Sequence, residues 1–142
     1  MTYATADQLT ERYGESMLVA ATDRGAVPTG APDDAAIARA LASADAVIDG
    51  FLASRYALPL ADVPPLLADI AQAIAIFRLH PYATDPKLKE DHADAMRMLR
   101  DIADGRVRLS LAGIETPGTG ETGAQFTDRE RPMTEASMKG FI

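Results

Sequence analysis

Apolar residues recur along this chain at helical spacing in three long runs, separated by breaks with clear local causes. In the first run, Ile37, Leu41, Ala44, Ile48 and Phe51 stand four, three, four and three apart, one continuous stripe on an α-helix. Ala40, Val47 and Leu52 widen the stripe, Asp33 is placed to cap the helix, and the pattern predicts helix to about Arg55. In the second run, Leu67, Ile70, Ile74 and Phe77 form the stripe, and Ala71, Ala73 and Ala75 make the segment apolar almost all round. That composition predicts the central, most buried helix. It begins near Pro64-Pro65, with Asp62 as the expected cap, and ends at His80-Pro81. In the third run, residues 86–104, Leu88, His92, Ala95, Leu99 and Ile102 share a face, Asp85 caps and Gly105 terminates.

Shorter elements flank these. Thr5 and Gln8 have capping-box spacing, which predicts a short helix stopping at Gly14, with another turn or two over Ser16 to Ala21. Residues 22–33 hold two glycines and two prolines and read as a loop. Val107, Leu109 and Leu111 alternate with Arg108 and Ser110, as in a short strand. From residue 113 the chain is rich in Gly, Thr and Glu with only isolated apolar residues. The expected architecture is therefore mainly α: a small bundle of four to five helices with a short strand over residues 1–112, and an extended C-terminal arm over residues 113–142. Phe126, Met133, Met138, Phe141 and Ile142 are too few to build a core, and they read as anchors by which the arm docks on a partner. The apolar final residues favour that reading over a frayed terminus.

Composition narrows the chemistry. Of 142 residues 47% are hydrophobic and 6% aromatic, which suits alanine-rich helix packing. There is no cysteine, which removes disulfides and thiolate chemistry, and two histidines make a histidine-rich metal site improbable. The net charge of −7 and the absence of a basic cluster in the sequence argue against a free nucleic-acid binder. No signal peptide or membrane-spanning segment is evident.

Candidate chemistry is thin. Asp45 and Asp49 stand four apart, as do Glu90 and Asp94, and paired acids can do acid–base work or hold Mg²⁺. They fall off the apolar stripes with no histidine, lysine or glycine-rich loop joining them, so solvated helix faces are the expectation. His92, on an apolar stripe, reads as a packed and hydrogen-bonded core histidine, and His80 as a helix terminus. The glycines of "GTGETG" lack the strand-before, helix-after setting of a phosphate loop. The stretch "ASRYALPL", residues 53–60, reads as a rigid corner. Arg55 would lie in the last helical turn, favoured by the helix dipole, and Tyr56 would lay its ring on the core with its hydroxyl at the edge. Pro59 would hold Leu58 extended, so that Leu58 and Leu60 close the apolar layer.

The order of these features resembles the phage Mu-type head–tail connector (adaptor) family of tailed phages. The similar pieces are "MTYATADQLTERYG", "IARALASADAVIDGFLASRYALPL", "LLADIAQAIAIFRL", "AMRMLRDIADGRVRLSL" and a terminal "KGFI", which together span nearly the whole chain. The most specific is Ile48-Asp49-Gly50 followed by Arg55-Tyr56 and Leu58-Pro59-Leu60. Phe77 is a departure where relatives carry tyrosine, at the cost of one hydroxyl. The resemblance implies a virion protein without enzymatic activity or cofactor, assembled in the host cytoplasm and located in the neck. It implies a homo-oligomeric ring of about twelve copies closed by side-by-side contacts. Its partners would be the portal protein and a tail-side neck protein, a stopper or tail terminator, with genomic DNA met only in transit. Acids facing the lumen would keep DNA from sticking; Asp45, Asp49, Asp91 and Asp94 are the candidates. Two other readings stay open: a small regulatory helical protein binding a partner, and a small metal enzyme using paired acids.

Overall fold

The computed structural model describes residues 1–82 and 85–111. They form five helices: α1 (Ala6–Tyr13), α2 (Glu15–Thr22), α3 (Asp34–Leu52), α4 (Pro65–Leu79) and α5 (Pro86–Ala103). Local chemistry sets their starts. Thr5 Oγ1 accepts the Gln8 N–H while the Gln8 side chain accepts the Thr5 N–H, a complete capping box. The carboxylate of Asp33 accepts the N–H groups of Ala35 and Ala36, and that of Asp85 accepts the N–H of Lys87. α4 differs: its N-cap is Pro64, with no side-chain cap, so Asp62 does not take the role expected of it. The pyrrolidine rings at the entry leave fewer N–H groups to satisfy.

α4 packs along both α3 and α5, which also meet each other, and α1 lies against α3 and α4. Every residue from Ile70 to Ile76 is buried, as the all-round apolar sequence predicts. Leu9, Leu18, Ile37, Ile48, Leu52, Leu67, Leu99 and Ile102 complete an interior contributed by all five helices. The loop between α2 and α3 is held from both ends. Thr22 Oγ1 donates to the Leu18 carbonyl and accepts the Asp33 N–H at 2.9 Å. The Asp23 carboxylate accepts the N–H groups of Thr29 and Gly30, each at 3.0 Å, which holds its carboxyl below the usual carboxylate range.

Two expectations are corrected. Among the described residues there is no strand: Val107–Leu111 is irregular, with Leu109 buried, and no second strand lies beside it. A segment lying on a helical layer produces the same in–out alternation without a sheet. α3 also ends at Leu52, with Ala53 as its C-cap, so Arg55 lies in the turn beyond the helix rather than in its last turn. The chain turns there because Tyr56 is drawn into the core, at 3% exposure.

Candidate functional site

The contacts that position chain segments gather around two places, the middle of α3 and the corner after it. On α3, Asp45 is buried and Asp49, one turn on, is half-buried. Asp45 is 9% exposed, and its Oδ1 accepts the Tyr3 N–H at 3.0 Å. Asp49 Oδ1 accepts a short hydrogen bond from the Tyr3 hydroxyl, and its Oδ2 pairs with the Met1 ammonium at 3.4 Å. The two acids are therefore not a solvated face; they clamp the N-terminal segment against α3. Burial pushes the Asp45 carboxyl upward, opposed by the Tyr3 N–H bond and the N-terminal charge, while Asp49 adds to the rise. Burial also raises the Tyr3 hydroxyl, helped by its bond to Asp49 and by the charges of Asp49 and Asp45. In the folded chain the Asp45 carboxyl is turned to Tyr3 rather than to solvent.

The corner carries the second set. Tyr56 Oη accepts the Leu109 N–H at 3.1 Å in the interior, so the hydroxyl expected at the edge is an anchor for the segment that leaves α5. The Arg55 guanidinium covers Gly105, just past the α5 C-cap Asp104. The dipole argument for Arg55 survives, transferred from the end of α3 to the end of α5. Gly105 has φ of 76°, so the backbone favours glycine, and a Cβ there would have to push the Arg55 guanidinium aside. The Leu58–Pro59 peptide is cis. Leu60 is buried, its N–H meets Met1 Sδ at 3.1 Å, and Leu58 packs against the core from a half-buried position.

The remaining candidates lie apart. Asp91 pairs with Lys87 at 3.1 Å and Asp94 with Arg97 at 2.9 Å along α5. His92 stacks on Phe77 with ring centroids 4.1 Å apart, joining α5 to α4. His80 is the α4 C-cap, its Nδ1 2.8 Å from the Ile76 carbonyl. Phe126, Met133, Met138, Phe141 and Ile142 lie outside the described residues. Among the described residues no group of three or more His, Asp or Glu side chains is arranged to hold a metal ion, and no helix is long and apolar enough to cross a membrane. The fold also gathers what the sequence scatters: Arg24, Arg39 and Arg78 line one groove, although no basic cluster is visible in the linear order.

His92 gives a pH test. Burial, and then the charge of Arg78, holds its imidazole below the ordinary histidine range. A base with a lowered pKa in the folded state binds its proton more readily when unfolded. Its contribution is thus intact above the unfolded value of about 6.5 and is lost as the pH falls through the folded one. Thermal melts across this range are expected to show that loss in the parent and a flatter profile in His92→Gln.

The fold and these contacts define an all-helical domain whose polar side chains hold chain segments in place. The chain belongs to the family described as Bacteriophage Mu, Gp36, whose model matches residues 3–127. It is 35% identical to Gene product J of Escherichia phage Mu over 142 residues, all of both chains. It is 31% identical over 110 residues, 78% of each chain, to the Mu-like prophage FluMu protein gp36 of Haemophilus influenzae.

Proposed function

We propose that this protein is a non-catalytic structural component of a tailed-phage particle. It acts as a head–tail adaptor that forms a ring below the portal, joins the head to a tail-side neck protein and lets DNA pass. The observation that carries this reading is the family membership, with its match to the phage Mu protein along the whole length. The geometry supports it. A bundle closed by its own core can repeat around a ring through heterologous contacts without refolding. The clamp at Leu109 gives the segment beyond it a fixed point of departure. Asp91 and Asp94 remain the lumen candidates, whereas Asp45 and Asp49 are engaged with the N-terminal segment.

The test is to mix the purified chain with the portal protein of the same phage and examine the product by electron microscopy and native mass. A closed ring of this chain seated on one face of the portal is the expected result. Failure to bind the portal, in solution and in assembled particles alike, would refute the reading.

A further inference from the structure

We infer that the groove between α2, the first half of α3 and the end of α4 is a docking site for an acidic polypeptide segment of a partner protein. This does not rest on the neck reading. The groove encloses about 420 Å³ and is lined by Arg24, Arg39 and Arg78 against, among the described residues, a single carboxylate, Asp33. That carboxylate is already engaged, accepting the N–H groups of Ala35 and Ala36 at the start of α3. Arg24 donates one N–H to the Leu79 carbonyl at 2.8 Å and keeps its charge at the groove. Arg39 and Arg78 are exposed and make no ion pair among the described residues.

That arrangement runs against the rest of the molecule. The chain has 21 acidic residues and 14 basic ones, and Arg12, Lys87, Arg97 and Arg106 each meet an aspartate. With carboxylates in excess, three guanidinium groups share a groove whose one acid serves a helix cap. Their mutual repulsion is relieved when carboxylates enter from outside. Guanidinium forks match carboxylates in paired, directional hydrogen bonds.

The groove walls decide between anions. Ala36, Ala40 and Leu79 give apolar surface that fits the methylene stems of Asp or Glu side chains and a stretch of backbone. A nucleic acid needs many phosphate contacts along a basic track. Here three guanidinium groups share one short groove, on a chain whose net charge of −7 repels a long polyanion. Charge complementarity therefore favours a short acidic segment.

The experiment titrates the isotope-labelled full chain with a hexaglutamate peptide and, separately, with hexathymidylate, followed by NMR. Hexaglutamate is expected to shift the Arg39 and Arg78 Nε–H signals and the Ala36 and Ala40 amides, with affinity falling as salt is added. Joint Arg39→Ala and Arg78→Ala substitution is expected to weaken binding roughly tenfold, as two exposed ion pairs to the peptide are lost. Should that variant misfold, Arg39→Lys with Arg78→Lys keeps the charge but removes the fork, and is expected to weaken binding as well. Equal or tighter binding of hexathymidylate would make this a nucleic-acid surface and overturn the proposal. So would no peptide binding, shifts confined to other faces, or variants that bind as the parent does.

Discussion

Removing residues 126–142 is expected to leave the melting temperature of the helical domain unchanged and to produce filled heads that take no tails. The first half of this expectation follows from where the interior lies. Among the described residues its large buried side chains run from Leu9 to Ile102, with Leu109 in the segment that leaves α5, and the deletion removes none of them. The second half follows from the residues removed. Phe126, Met133, Met138, Phe141 and Ile142 are apolar groups in polar sequence, suited to pockets on a neighbour and too few for a core of their own. Calorimetry of the truncated chain checks the first half, and electron microscopy of particles made with it checks the second. Normal tailed particles would remove the docking role of the arm, and a truncated chain that no longer folds would place those residues in the domain's own interior.

Gly105→Val is expected to lower the unfolding free energy by about 2 kcal/mol. Two costs combine. Valine at φ of 76° pays backbone strain of roughly 1–3 kcal/mol. Its side chain also overlaps the Arg55 guanidinium, the far end of a flexible side chain, so moving it aside adds the smaller cost. Denaturant unfolding of a small set separates them. Gly105→Ala keeps the first methyl group of the clash, and adding Arg55→Ala should recover part of the loss, leaving the strain. A double variant no better than Gly105→Ala alone would mean that the guanidinium is not what crowds the glycine.

Much of the fold was legible because its causes are local. The Thr5–Gln8 box, the Asp33 and Asp85 caps and the stop at Gly14 each act within a turn of helix. The central place of α4 could be read from its alanines and isoleucines alone. What escaped depends on residues far apart in the chain. The early end of α3 comes from Tyr56 reaching Leu109, 53 residues on, and nothing near Leu52 announces it. The strand expected over Val107–Leu111 had a sound pattern but no partner, and alternation alone cannot tell a sheet from a helical layer. Asp45 and Asp49 looked like solvent-facing acids because one key partner is the backbone N–H of Tyr3, which has no side-chain signature. The arginine groove draws one residue each from the loop after α2, from α3 and from α4. In the sequence these are isolated charges, and only the packing of the helices sums them.

The corner after α3 holds two remote stretches at once: the Leu60 amide meets the Met1 thioether, and the Tyr56 hydroxyl takes the Leu109 amide. The opening residues and the outgoing segment are thus moored to a single knot of backbone. A tug on the outgoing segment is felt at the opening residues through the Tyr56 side chain and the few residues of the corner, whereas along the covalent chain the same signal would have to cross five helices.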